Sequence, residues 1–171
     1  MTVINPANLL LDIAPAALSL IAGDTRRRLV SYLNRWGHIE TLLRYLDAWL
    51  AEQPASVTLR EGRARVLVDL GRGDEALAIL REIDAERPTS VTRRQLRLRA
   101  LMVAGRYAEL DLALDAMAED PAQELAAWLL RGDVLRAQGR FDEAADQYST
   151  VFSRDPYGLA AVRRMAELAL Q

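Results

Sequence analysis

Four glycines recur along this chain at one fixed interval. They are Gly37, Gly71, Gly105 and Gly139, and the same number of positions, here called the repeat length, separates each from the next. Residues 71–76 and 139–144 share the pattern Gly-Arg-x-Asp-Glu-Ala, and Arg106 likewise follows the third glycine. A constant period over most of a chain is typical of stacked supersecondary repeats, so we expect a core that is shared between neighbouring repeats.

Apolar residues follow each of these glycines at helical spacing. The positions five, nine and twelve residues after each glycine are Leu42, Leu46 and Trp49, then Ala76, Leu80 and Ile83, then Leu110, Leu114 and Met117, and finally Ala144, Tyr148 and Val151. Such offsets trace one face of an α-helix. Helix formers dominate the chain, and alternating β-branched runs are missing. The sequence therefore predicts an all-α protein in which each repeat is a pair of helices joined by a glycine turn.

The Gly-Arg-x-Asp-Glu-Ala pattern has a structural and a chemical interpretation. Glycine adopts the left-handed backbone that ends a helix. Asp142 and Glu143 then fall in the first turn of the next helix, where unpaired N–H groups and the helix dipole favour acidic side chains. Ala144 lets that helix approach its partner closely. A catalytic pair of carboxylates is the alternative, but the neighbouring residues offer no base, metal ligand or pocket, so we favour the turn.

Composition excludes several kinds of chemistry. The chain of 171 residues is half apolar and long enough for one domain with a core. It contains no Cys, no Lys and a single His, His38, which excludes disulfides, thiolate or His-rich metal sites and lysine-based catalysis. We therefore predict a protein that is not an enzyme and uses no cofactor or metal. The Lys-free, Ala- and Arg-rich composition is typical of a high-GC bacterial gene.

The repeat resembles the tetratricopeptide repeat (TPR) family. In the fourth repeat the residues at the family's signature positions are Trp128, Gly132, Leu135, Gly139, Ala144, Tyr148 and Pro156. The second repeat matches at Ala64, Leu67, Gly71, Ala76, Leu80 and Pro88, whereas the first and third carry bulkier residues where the two helices approach closely. The resemblance implies a right-handed α-solenoid of about four helix-turn-helix repeats, at residues 23–56, 57–90, 91–124 and 125–158, with a capping helix at residues 159–171. It also implies a non-catalytic scaffold for protein–protein interaction.

The first helices of TPR proteins line a concave groove, and the resemblance implies which residues face it. The predicted peptide-binding residues are Arg27, Arg28, Ser31, Arg65, Leu96, Arg99, Leu129 and Asp133. Positions that are separated by the repeat length are here called a column, and the columns of these residues also contain Thr58, Glu61 and Gly62. Arginine forks bind carboxylates through paired, charge-assisted hydrogen bonds, and leucines would offer an apolar floor. We therefore predict a peptide partner with an acidic or C-terminal carboxylate segment. The open alternative is a solvated surface on which these arginines pair with neighbouring acids.

Two further features of the arginines bear on function. Family members that clamp a terminal carboxylate use a Lys and Asn set that this chain lacks, so that activity is not carried over. Arg63, Arg97 and Arg131 recur at the repeat length, and we expect their aliphatic stems to pack between repeats while the charged heads reach solvent.

The two ends of the chain leave a second function open. Residues 1–22 are an apolar helical segment that Asp12 and Pro15 interrupt well short of a membrane span, and no basic residue precedes Asp12 as it would in a signal peptide. This segment either covers the first repeat or docks on another chain. Residues 60–106 carry eleven arginines against seven acids, whereas residues 107–171 carry six against twelve.

These features define the functional classes that the sequence predicts. The first is a cytoplasmic adaptor, assembly factor or chaperone, similar in size and architecture to bacterial secretion chaperones. The alternative is a structural subunit that forms a homo-oligomer through its N-terminal segment and its oppositely charged ends. Nucleic acid is disfavoured as a partner because the groove has few aromatic residues on which bases could stack.

Overall fold

The computed structural model describes residues 23–170, apart from the side chains of Asp24 and Arg27. The expectations for residues 1–22 lie outside the described residues. The regular structure of the described part is α-helical, without strands, which confirms the all-α prediction. Its helices are α1 (Gly23–Arg35), α2 (Ile39–Glu52), α3 (Val57–Asp69), α4 (Gly73–Glu86), α5 (Val91–Val103), α6 (Tyr107–Ala118), α7 (Glu124–Ala137), α8 (Phe141–Arg154) and α9 (Leu159–Ala169). The chain divides into two compact units, here called the N-terminal unit, Met1–Ala104, and the C-terminal unit, Gly105–Gln171.

The four periodic glycines end the first helix of each pair, as predicted. Their φ angles are 73°, 79°, 68° and 75°, in the left-handed region where a side chain would be strained. At the second of these turns the Arg72 N–H donates to the Leu67 carbonyl at 2.8 Å, and the Gly71 N–H donates to the Val68 carbonyl at 3.1 Å. This pair of bonds is the Schellman arrangement that satisfies carbonyls at a helix end.

The arginine after each of the last three glycines pairs with the glutamate three residues later. The Nε atoms of Arg72, Arg106 and Arg140 donate to Oε1 of Glu75, Glu109 and Glu143 at 2.6, 2.6 and 2.7 Å. The hydrogen bond from arginine lowers the pKa of Glu75 and of Glu143 below the ordinary value. Since these pairs lie on the surface, they add little stability. They give the Gly-Arg-x-Asp-Glu-Ala pattern a second structural role, because its glutamate is engaged by its own arginine.

The core of the N-terminal unit lies where α3 packs against α4. Ala64 and Leu67 on α3 and Ala76, Leu80 and Ile83 on α4 are all fully buried. The next contact is closer still, because a Cβ at Gly73 would lie 2.5 Å from the Ala100 carbonyl oxygen on α5. The start of α4 therefore rests directly on the backbone of α5.

The core of the C-terminal unit is built around Tyr148 on α8. Its side chain is fully buried, and a Cβ at Gly132 on α7 would lie 2.3 Å from Tyr148 Cε1. The hydroxyl donates to Asp133 Oδ1 at 2.9 Å, and Arg164 on α9 binds the same carboxylate through Nε at 2.7 Å and Nη2 at 2.8 Å. Asp133 thus joins three helices of this unit.

Burial of Tyr148 predicts a loss of stability at high pH. Desolvation, followed by the bond to Asp133, raises the pKa of Tyr148 far above its usual range. Since the folded pKa exceeds the unfolded value of about 10, the contribution of the neutral phenol is complete below pH 10 and is lost as the pH rises towards the folded pKa. We expect urea denaturation between pH 9 and 11 to show a steeper loss of stability for the native chain than for Tyr148→Phe. Equal slopes would contradict this.

Candidate functional site

One cavity in the N-terminal unit collects a set of the predicted groove residues. It has a volume of about 620 Å³ and lies between α1, the end of α2 and α3. The α3 residues that line it include Thr58, Glu61, Gly62 and Arg65, which occupy the four columns that the repeat register assigns to the groove. Gly23, Arg26 and Val30 line it from α1, and Leu46 and Trp49 line it from α2.

The floor of this cavity is apolar and buried. Leu46 is 4% exposed and Trp49 is fully buried. Gly62 lies above Leu46, and a Cβ there would meet Leu46 Cδ2 at 3.5 Å, an ordinary contact distance. A larger side chain at Gly62 would extend into the cavity. The glycine in the middle of α3 therefore leaves open space over a hydrophobic surface.

The charged groups of the cavity differ in how fully they are engaged. Arg26 pairs with Glu52 at 3.3 Å, and its guanidinium lies 5.2 Å from the centre of a Trp49 ring. Glu61 Oε1 lies 2.9 Å from Nε of Arg93. Arg65 is exposed and, in the part of the chain that the structure describes, it has neither an ion-pair nor a hydrogen-bond partner. It is the lining cation that can accept a carboxylate without breaking an existing bond.

The other predicted site residues do not line this cavity. Arg28 and Ser31 are exposed on α1, and the side chain of Arg27 lies outside the described part. Leu129, on α7, is half-buried in the C-terminal unit. Arg99 is exposed, but its Nη2 donates to Asp69 Oδ1 at 2.8 Å, which matches the alternative of a paired surface at this position.

Two of the predicted site residues serve the packing of the protein. Leu96 is 4% exposed, so it belongs to the core of the N-terminal unit and offers no open floor, contrary to the expectation. Asp133 was also expected to bind a peptide, but its carboxylate already accepts hydrogen bonds from Tyr148 and Arg164. Each residue has the groove register, yet neighbouring helices cover the side chain.

The guanidinium groups of Arg63, Arg97 and Arg131 were expected to reach solvent, and the structure differs from this expectation. The heads of these residues do not simply reach solvent, because each pairs with a carboxylate on the second helix of the preceding pair. Arg63 Nε donates to Asp47 at 2.6 Å, Arg131 Nη2 donates to Asp115 at 2.5 Å, and Arg97 donates to Asp84. Asp47 and Asp115 are separated by twice the repeat length, so the signal was present in the sequence.

A second recurrent contact was missed by the sequence analysis. Arg26 pairs with Glu52, and one repeat length further along Arg60 Nη1 donates to Glu86 at 2.8 Å. In the fourth repeat the same two positions are occupied by Trp128 and Arg154, and the guanidinium lies 4.5 Å from the tryptophan ring centre. The ion pair is thus replaced by a cation–π contact with the charge on the opposite helix.

A buried charge network connects the cavity to the interior of the N-terminal unit. Arg93 is 6% exposed, and its Nη1 donates to Asp84 Oδ1 at 2.6 Å. Its Nη2 donates to the Pro88 carbonyl, while its Nε faces Glu61 in an ion pair without hydrogen-bond geometry. Because Asp84 also accepts from Arg97, two cations share it. The signal in the sequence is a charged residue at a position that is uncharged in every other repeat, where Thr25, Leu59, Ala127 and Ala161 stand.

Comparison with known proteins assigns the family. The tetratricopeptide repeat model matches residues 39–91 and 96–158, more than half of the chain. The chain therefore belongs to the tetratricopeptide repeat family, and the repeats imply a scaffold for protein–protein interaction. No curated protein matches the sequence. Among residues 23–170, no helix has the length and apolar character that crossing a membrane requires.

Proposed function

We propose that the cavity between α1, α2 and α3 binds a peptide segment of a partner protein, as expected of an adaptor, assembly factor or chaperone. Arg65 binds a carboxylate of this segment. The observation that carries the proposal is the position of Arg65, an exposed arginine without a partner in the described residues, in a lining that also contains the half-buried apolar residues Val30 and Leu59. The function is non-catalytic, as expected of a scaffold built from tetratricopeptide repeats.

The chemistry of the cavity specifies the peptide in outline. A volume of about 620 Å³ lies within the range of roughly 300–1,000 Å³ that small ligands occupy, enough for one or two side chains. An apolar side chain of the peptide packs on Val30 and Leu59, the half-buried apolar residues of the lining, and a neighbouring carboxylate reaches the Arg65 fork. Glu61, held by Arg93, accepts a hydrogen bond from a peptide N–H group. The preferred segment therefore combines an acidic residue, or a terminal carboxylate, with a nearby large apolar residue.

Replacing Arg65 by alanine is expected to weaken peptide binding by about 10- to 100-fold. This range corresponds to about 1.5–3 kcal/mol for a charge-assisted hydrogen bond to a carboxylate. The peptide is selected from a random displayed library with the native protein, and dissociation constants are measured by fluorescence anisotropy. Affinity for the native protein should also fall as salt is raised, because the site is partly open to solvent.

Arg81→Ala is the matched control for this experiment. Arg81 on α4 is also exposed and without a partner among the described residues, but it does not line the cavity. Its removal changes the net charge equally and should leave the affinity unchanged. If the library yields no acidic binder, or if both variants lose affinity to the same extent, the assignment of the site to Arg65 is wrong.

A further inference from the structure

Helix α9 has the register of a first helix in a fifth pair. It begins one repeat length after Leu125, and Ala161 on α9 and Ala127 on α7 occupy the same column, each 1% exposed. Its inner side therefore packs as the earlier first helices do, and Arg164 fixes it to Asp133. In the preceding pair, the outer side of α7 is covered by α8.

The outer side of α9 is apolar and exposed. On α7 the side that meets α8 carries Trp128, Gly132 and Leu135, and the corresponding residues of α9 are Val162, Ala166 and Ala169. Val162 is 43% exposed, and both alanines are exposed. Leu159 and Leu170 extend the patch with 81% and 88% exposure. No helix of the described part of the chain covers this side.

A groove next to α9 continues this surface. It has a volume of about 330 Å³ between α8 and α9, and its lining is Phe141, Asp142, Ala145, Met165, Leu168 and Ala169. Ala169 belongs both to the groove and to the exposed patch, and Phe141 and Met165 add partly exposed aromatic and thioether surface. The patch and the groove together form a largely apolar surface on which a helix can pack.

We propose that this surface binds the α9 helix of a second copy of the chain, across a twofold axis. The second helices of the repeats dock through apolar residues at i, i+4 and i+7, as Ala144, Tyr148 and Val151 do on α8. Val162, Ala166 and Ala169 have the same spacing, so α9 can act as the second helix for its counterpart. A twofold axis perpendicular to the helices makes them antiparallel, as the two helices of each pair are, and gives each copy the same interface.

The charges of α9 complement each other in such a pair. Arg163 and Glu167 lie one turn apart on the same flank, with side chains 72% and 43% exposed, and within one chain Arg163 Nε lies 3.3 Å from Glu167 Oε1. Glu167 Oε2 also lies 3.7 Å from Nη1 of Arg136. In an antiparallel pair centred near Met165 and Ala166, Arg163 of each copy lies opposite Glu167 of the other, which gives two equivalent contacts. Because the interface consists of α9 and the adjoining groove of each copy, the dimer is small, weak and concentration-dependent.

The expected result in sedimentation equilibrium is a mass that rises with concentration from 19.1 kDa towards twice that value. Ala166→Glu places a charge at the centre of the interface and should raise the dimer dissociation constant at least tenfold. Leu112→Glu, at a leucine that is 69% exposed on α6, is the control and should dimerise as the native chain does. Circular dichroism verifies that both variants retain the fold. The dimer interface is separate from the peptide cavity, so Ala166→Glu should bind the selected peptide normally.

A charge exchange identifies the pairing between copies. Arg163→Glu alone and Glu167→Arg alone should each dimerise less than the native chain, because like charges then meet across the axis. An equimolar mixture of these two variants should recover the dimer, since glutamates of one copy face arginines of the other. A mass of one chain at all concentrations, a dimer that tolerates Ala166→Glu, or a mixture that stays monomeric would each overturn the proposal.

Discussion

Asp84→Ala is expected to lower the free energy of unfolding by about 3–5 kcal/mol, the cost of removing one member of a buried ion pair. Asp84 has a side chain that is 14% exposed and accepts from Arg93, which is itself almost completely buried. Without Asp84, Arg93 keeps only the Pro88 carbonyl and the poorly aligned Glu61 carboxylate, so its buried charge is undercompensated. Urea denaturation followed by circular dichroism, with the midpoint and slope compared between variants, measures this loss.

Two controls distinguish buried charge from the mere loss of an ion pair. Asp47→Ala removes the partner of Arg63, but Asp47 is 48% exposed, so we expect a cost of at most about 1 kcal/mol. Arg93→Leu places at this position the residue that the second repeat has there, Leu59, and Asp84 still pairs with Arg97. Adding Asp84→Ala to Arg93→Leu should then cost much less than Asp84→Ala alone. Equal costs for Asp84→Ala and Asp47→Ala would show that Arg93 is adequately compensated without Asp84.

The periodicity of the sequence was sufficient to predict the helices and turns. A glycine at every repeat length, with apolar residues five, nine and twelve positions later, specifies a helix end and the buried face of the next helix through local backbone and packing rules. Trp49 and Tyr148, at two of these positions, are fully buried as that pattern predicts. These features depend on short stretches of chain, so they can be recognised without knowledge of distant contacts.

The state of each groove residue depends on contacts that the column alone does not specify. Arg65 and Arg99 are the same residue type in the same column, yet Arg99 pairs with Asp69, near the end of the preceding first helix. The residue that corresponds to Asp69 one repeat earlier is Arg35, which cannot form an ion pair with Arg65. Arg65 thus stays available because the end of the preceding first helix carries a cation. The repeat offset held this signal, but the distance between neighbouring helix ends was needed to recognise it.

The columns are also misleading at the first residue of α4. This position is Gly73 in the second repeat, whereas the corresponding residues of the other repeats are Ile39, Tyr107 and Phe141. From the column, a side chain at Gly73 would be harmless. In the structure the start of α4 lies so close to α5 that the side chain has no space, and only the three-dimensional packing reveals this.

Gly73→Ala is accordingly expected to destabilise the protein by about 3 kcal/mol, at the upper end of the usual cost of overpacking. Its Cβ would lie 2.5 Å from the Ala100 carbonyl oxygen and 2.6 Å from the Ala104 nitrogen. Since both are backbone atoms within or at the end of a helix, no change of side-chain rotamer relieves the overlap, and α4 and α5 must move apart. The lost packing should appear as a lower urea midpoint and a lower melting temperature.

Gly62→Ala is the matched control, and the opposite sign is expected for it. Gly62 lies in the middle of α3, and an added methyl group meets only the Leu46 side chain, at 3.5 Å from Cδ2. Alanine restricts the unfolded chain and favours the helix, so this variant should be more stable than the native chain by about 0.5–1 kcal/mol. The same substitution thus has opposite effects on two successive helices, depending on whether a neighbouring backbone occupies the position of the Cβ. If Gly73→Ala proved as stable as Gly62→Ala, the close approach of α4 to the backbone of α5 would be incorrect, and with it the packing of the second repeat on the third.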